Sequence, residues 1–172
     1  MNEAKIAVVM GSDSDLPVAE KVFETLSRLG LSWDARVLSA HRSPEAAWEF
    51  SVGAAKAGFK VVIAIAGGAA ALPGLIASAA DLPVIAVPVA TGVAGGLDSL
   101  LSAVQMPGGV PVLSTGTNSG GPVNAAVAAA RILALSDEAL AARLADYRAS
   151  MAAAVAEKDR RVREARGGGA DA

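Results

Sequence analysis

The chain contains no cysteine among its 172 residues. That excludes a disulfide, a thiolate metal site and a cysteine nucleophile; it leaves the redox compartment open, though it suits a cytosolic protein. Aromatic residues are scarce, at 3% against a hydrophobic fraction of 53%, so a core must be built from Ala, Val, Leu and Ile. Trp33, Trp48 and Tyr147 fall outside the loops described below and read as packing residues. Positive charge is not in excess: 15 Lys and Arg stand against 17 Asp and Glu, a net charge of −2. A nucleic-acid partner normally requires a basic patch, so none is expected. A signal-peptide layout is lacking as well, because Met1-Asn2-Glu3-Ala4-Lys5 leads straight into strand-like sequence. Histidine occurs once, as His41.

One uncharged run, residues 61–80, has about the length of a membrane helix. Gly67-Gly68 and Leu72-Pro73-Gly74 interrupt it. A buried strand, a glycine turn and a packed helix explain it better than a membrane span.

Short apolar runs at residues 5–10, 34–38, 60–66, 84–88 and 110–114 predict five strands. Helices are predicted between them. The first carries Val18, Val22, Leu26 and Leu29 on one stripe and stops at Gly30. The second opens with Ser43 as N-cap and Pro44 at its first position, and ends at Gly58. A small-residue helix follows Gly67-Gly68, others span about residues 98–105 and 122–135, and a long last helix runs from about 136 to 164. Its Leu140, Leu144, Tyr147 and Met151 recur at helical spacing, whereas residues 158–164 read as a solvated charged face. Strands alternating with helices imply right-handed crossovers and a parallel sheet covered on both faces. The expected architecture is a three-layer α/β/α, flavodoxin-like five-stranded parallel sheet of order 2-1-3-4-5 with a long C-terminal helix. Residues 1–165 form one domain, and 166–172, rich in glycine, form a disordered tail.

In such a sheet, ligands bind beyond the carboxyl ends of the strands where the winding reverses. Three loops of that edge carry chemistry. Gly11-Ser12-Asp13-Ser14-Asp15 offers amides and hydroxyls for phosphate and carboxylates for sugar hydroxyls or an amine, or else caps the next helix. Ser39-Ala40-His41-Arg42-Ser43-Pro44 supplies an imidazole, the group best able to give and take a proton near neutrality, beside a guanidinium suited to phosphate or carboxylate. Gly67-Gly68-Ala69-Ala70 allows close backbone approach, or simply tight helix–strand packing. The third strand ends Ala64-Ile65-Ala66-Gly67, with no aspartate for a phosphoacceptor domain. The loops also lack the flanking aromatics of a flavodoxin.

Taken together, the first two loops, Ala66-Gly67-Gly68-Ala69-Ala70 with Leu72-Pro73-Gly74, and Asp98-Ser99-Leu100 through Gln105-Met106-Pro107-Gly108-Gly109 resemble one family. It is the 5-(carboxyamino)imidazole ribonucleotide mutase family, also known as the catalytic subunit of phosphoribosylaminoimidazole carboxylase. The similarity covers about residues 5–150, with four motifs in family order. It implies a purine-biosynthesis enzyme that moves a carboxylate from the exocyclic nitrogen of an aminoimidazole ribonucleotide to a ring carbon, with no metal and no cofactor. By matching position, His41 is the proton carrier, and Ser12, Asp15 and Arg42 bind the ribonucleotide. Gly11, Ser39, Ala40, Gly67, Gly68 and Leu72 line the pocket, and residues 105–108 lie near a subunit boundary of a homo-octamer. The chain departs from the family at Ala71, where many members carry histidine, and in residues 114–122. The alternatives are a carboxylase using free carbon dioxide and a non-catalytic nucleotide-binding homologue.

Overall fold

The computed structural model describes residues 5–166. Residues 1–4 and most of the anticipated tail, 167–172, lie outside the described residues. Five parallel strands form one sheet: β1 (Ile6–Met10), β2 (Trp33–Val37), β3 (Val61–Ala66), β4 (Val84–Pro88) and β5 (Leu113–Ser114), in the order β2-β1-β3-β4-β5. The winding therefore reverses between β1 and β3. Their register pairs Met10 with Ile65. The helices are α1 (Leu16–Arg28), α2 (Pro44–Gly53), α3 (Ala71–Ala79), α4 (Leu97–Val104), α5 (Gly121–Ala134) and α6 (Glu138–Ala165). The expected fold class, strand order and long last helix are all present.

Strand side chains alternate between two cores because successive Cβ atoms point to opposite faces. Ile6, Val8 and Met10 of β1 and Val61, Ile63 and Ile65 of β3 pack with α1, α5 and α6. Ala7, Val9, Val62, Ala64 and Ala66 pack with α2 and α3. The first core is bulky and the second is rich in alanine, so α3 sits close to the sheet. Withdrawing each large aliphatic side chain from water contributes roughly 1.5–3 kcal/mol, and Ile63, Ile65 and Ile85 are among those fully buried. The run at residues 61–80 resolves into β3, a glycine turn and α3. Among the described residues no helix is long and apolar enough to cross a membrane.

Four expectations needed correction. The strand anticipated at 110–114 is reduced to Leu113–Ser114. Pro111 has no N–H for the ladder, and Val110 is instead held in a turn by Pro107 O at 3.2 Å. The second helix ends at Gly53 rather than Gly58. Looser turns continue to Gly58, whose φ of 95° closes the segment. β2, an edge strand carrying Asp34 and Arg36, is half-open to solvent and not covered on both faces. Trp48 is 51% exposed on α2 and belongs to neither core cluster. Trp33, by contrast, stacks on Phe23 with ring centroids 5.3 Å apart. Tyr147 receives Arg28 over its ring at 4.9 Å, which fastens α6 to α1.

Candidate active site

β1 delivers the first loop to the carboxyl edge of the sheet. The Gly11 amide still bonds to Ile65 O at 3.0 Å, so the loop leaves directly from the β1–β3 seam. Asp13–Asp15 then form a 3-10 turn with Ser12 as N-cap. Ser12 Oγ accepts from the Ser14 amide at 3.3 Å, and Asp15 Oδ2 accepts from the Ser12 amide at 3.2 Å. This reciprocal capping box satisfies two otherwise orphaned donors. Capping is thus what Ser12 and Asp15 do in the folded chain, and it holds both in place facing a cleft. Asp15 is only 8% exposed. Burial holds its carboxyl above the ordinary value, and nearby Asp13 adds to the rise; the Ser12 amide and the Arg42 guanidinium act against it.

β2 delivers the second loop. Ser43 stands at the N-cap position of α2, but its hydroxyl does not cap that helix. It turns back, accepting from the Ser39 amide at 3.1 Å and donating to Ser39 O at 3.3 Å. Ser39 Oγ in turn accepts from the Arg42 amide at 3.1 Å. The two serines therefore close residues 39–43 into a ring that presents His41 and Arg42, both exposed, toward the first loop. Arg42 reaches across to it, with Nη2 donating to Gly11 O at 3.3 Å. Among the described residues the ion pairs all lie on α6, so Arg42 is anchored by neutral acceptors. Guanidinium has five N–H donors, and those not engaged remain for an anion.

The third loop leaves β3 through Gly67 and Gly68. A Cβ on Gly67 would lie 2.7 Å from Thr91 Cγ2, and Gly68 has φ of +62°. A side chain at Gly67 would displace Thr91, and the conformation of Gly68 favours glycine. Ala70 closes the turn in the left-handed region at φ 38°, and α3 starts at Ala71 with no side-chain cap. Its first-turn amides are unclaimed by side chains.

The three loops and Thr91 from the loop after β4 enclose a cleft of about 480 Å³. Nine of the residues anticipated from sequence line it: Gly11, Ser12, Asp15, Ser39, Ala40, His41, Arg42, Gly67 and Leu72. Gly68 does not; its amide points away, to Thr91 and Ser99. Residues 105–108 are also apart from this cleft, with Met106 packed against Gly74. Ser14, Ala66, Ala70 and Ala71 join the lining. So does Thr91, which sequence reasoning passed over. The only signal for it was its position just after β4, on the same edge. A site with hydrogen-bonding side chains on two loops, an exposed imidazole and a guanidinium with donors to spare can bind a phosphorylated, polar small molecule and move a proton on it.

The model of the family described as AIR carboxylase matches residues 5–154. The chain belongs to the AIR carboxylase family. It is 51% identical over 153 residues to an N5-carboxyaminoimidazole ribonucleotide mutase of Brucella melitensis, covering 89% of this chain and 94% of that one. A protein of the same name from Thermotoga maritima is 44% identical, with coverage of 93% and 92%. Among solved structures, a Treponema denticola PurE superposes with a TM-score of 0.82 at 31% identity, covering 91% of this chain and 96% of its own. In this AIR carboxylase family chain the matched segment includes every cleft loop and ends within α6. The departure at Ala71 falls on the cleft wall itself.

Proposed function

We propose that this chain converts 5-(carboxyamino)imidazole ribonucleotide to 5-amino-4-imidazolecarboxylate ribonucleotide, an intramolecular carboxylate transfer in purine biosynthesis. The observation that carries the reading is the cleft of about 480 Å³ in which Ser12, Asp15, His41, Arg42, Gly67 and Leu72 meet. Ser12 and Arg42 bind the ribonucleotide's phosphate end, and Asp15 binds its hydroxyl or amine groups. Ser39, Ala40 and Gly11 shape the floor, and the Gly67–Leu72 segment forms the apolar wall, with Gly68 holding it from behind.

His41 carries the proton. In the first half, the carbamate N–C bond breaks and its electron pair returns to the nitrogen, which takes a proton from His41. In the second, the electron-rich ring carbon attacks the released carbon dioxide, and the ring proton leaves to His41, restoring aromaticity and the starting protonation state. One group that gives and then takes serves both steps. The carbon dioxide must stay confined between them, which a small alanine- and glycine-lined wall favours. No cofactor enters the proposal. It places the enzyme in the cytoplasm as a homo-octamer. Association is supported by apolar side chains left exposed on α4, where Leu97, Leu101 and Val104 follow one another at helical spacing.

The absence of a second imidazole at Ala71 favours one competing reading, a carboxylase that takes free carbon dioxide onto aminoimidazole ribonucleotide. Assaying the N-carboxy substrate and aminoimidazole ribonucleotide plus bicarbonate side by side separates the two. The mutase reading expects faster turnover of the N-carboxy substrate. His41→Asn is expected to keep ribonucleotide binding and lose transfer by at least about 100-fold. Normal turnover by that variant defeats the proposal.

A further inference from the structure

Ser99 is fully buried in the first turn of α4, yet its hydroxyl finds its partners outside that helix. A helical serine ordinarily donates to the carbonyl a turn earlier, as Ser51 does to Ala47 O at 2.6 Å. Ser99 instead spends its proton on Val89 O, 2.8 Å away at the end of β4. Its oxygen accepts the Gly68 amide at 3.0 Å. That amide is shared with Thr91 Oγ1 at 3.1 Å, and the two hydroxyl oxygens are 3.3 Å apart. A hydroxyl has one proton. With Ser99 already donating to Val89, Thr91 is the donor in the Thr91–Ser99 bond. The polarity of the cluster is therefore fixed: Thr91 donates to Ser99, Ser99 donates to Val89 O, and Gly68 N–H donates to both oxygens.

The chain pays a conformational cost to bring Ser99 here. Residues 92–96 reverse direction through Ala94, Gly95 and Gly96, all with positive φ. A Cβ on Gly96 would lie 2.7 Å from Ala90 Cα, so glycine is what lets the start of α4 close onto the loop after β4. The same cluster touches the cleft wall, since Thr91 Cγ2 fills the space beside Gly67 where a side chain would be. Any shift of Thr91 shifts that wall.

We infer that Ser99, acting through Thr91, is a positioning residue for the reaction: the hydroxyl pair clamps the Gly67–Gly68 turn so that the wall confines carbon dioxide between its release and recapture. The inference rests on the mutase reading. It predicts a defect in confinement rather than in ribonucleotide binding, because the clamp's hydrogen bonds run among Gly68, Thr91, Ser99 and Val89 and none involves Ser12, Asp15 or Arg42. Thr91→Val, which keeps shape and removes the hydroxyl at an exposed residue, and Ser99→Ala are each expected to lower kcat about tenfold, the weight of one polar contact. KM is expected to change less than kcat, within about twofold, since the hydrogen bonds removed involve none of the residues assigned to the ribonucleotide. The fraction of N-carboxy substrate released as free aminoimidazole ribonucleotide should rise several-fold over wild type, and Thr91→Ser, which keeps the hydroxyl but loses the Cγ2 beside Gly67, should recover partitioning in part relative to Thr91→Val. A merely structural role would lower the active fraction without changing partitioning. Unchanged partitioning in both variants, with an active wild type, overturns the inference. Amide exchange separates its failure from failure of the mutase reading. The Gly68 amide should be protected in wild type and exchange much faster in the Thr91→Val, Ser99→Ala double variant, whether or not the enzyme turns over this substrate. Equal protection in the two overturns the clamp.

Discussion

Residue by residue, the cleft owes its form to side chains that do two things at once. Ser12 caps a turn and faces the cleft. Asp15 accepts the Ser12 amide while burial raises its carboxyl above the ordinary value. That second property sets a pH dependence. The folded chain keeps the Asp15 proton more tightly than the unfolded chain, so between the ordinary value of 3.8 and the raised one it binds more protons. Stability contributed at this site is then lost as pH rises through that window. Asp15→Asn keeps an acceptor for Ser12 and removes the charge. The stability of the variant minus that of wild type, from urea titrations, is expected to be larger at about pH 7 than at about pH 3. A difference that shrinks with rising pH would contradict the buried-carboxyl account. The residue types of this site were legible in the sequence, but their hydrogen-bond duties were not. Ser43 was read as an N-cap, and only the closed ring with Ser39 gave its hydroxyl a nearer pair of partners.

At the scale of elements, strands and helices followed from pattern wherever the pattern was local. Leu16–Arg28 and Gly121–Ala134 fall within a residue or so of capping and glycine signals, apart from the 3-10 turn that precedes the former. Asp137 caps α6 by accepting from the Leu140 amide at 2.9 Å. The charged end of α6 is laced by Arg160 to Glu157 and Glu164 at 2.7 and 2.8 Å, exposed pairs of small energetic weight. Pattern failed at β5, where Pro111 interrupts the ladder, and at Gly53, where looser turns carry the chain on to Gly58. Two glycines at helix ends make the contrast testable. Nothing lies within 4 Å of a Cβ built on Gly53, so Gly53→Ala should stabilise the protein by about 0.5–1 kcal/mol through helix propensity. A Cβ on Gly121 would overlap Gly116 O, so Gly121→Ala should destabilise it by about 1–3 kcal/mol. Urea unfolding of both variants checks the pair, and equal effects would refute the packing at the start of α5.

For the whole molecule, the first half of α6 is bound to its own chain through Leu140, Leu144, Tyr147 and Arg143, whose Nε donates to Leu29 O at 2.9 Å. Its second half is exposed throughout. Val155 and Val162 are 65% and 60% exposed, and α4 leaves Leu97, Leu101 and Val104 open. If these faces meet further copies of the chain, light scattering will give a mass well above one subunit. Leu101→Glu should then shift the population to smaller species, because a charge buried in an apolar contact is costly. A wild-type monomer at working concentration would remove the octamer from the proposal.

The sequence by itself determined the parallel sheet, its order, the ligand edge and the loops that meet there. Apolar periodicity, glycine turns and the handedness of crossovers are local or topological rules that the chain must obey wherever it folds. Tertiary structure decided which loop atoms touch. Thr91 stands in no motif, Ser99 stands in one with no role attached to it, and the two are separated from Gly68 by 23 and 31 positions. They gain their role only because the β4 loop folds back through Gly95 and Gly96. A hydrogen bond depends on tenths of an ångström between distant segments, and no residue pattern encodes that distance.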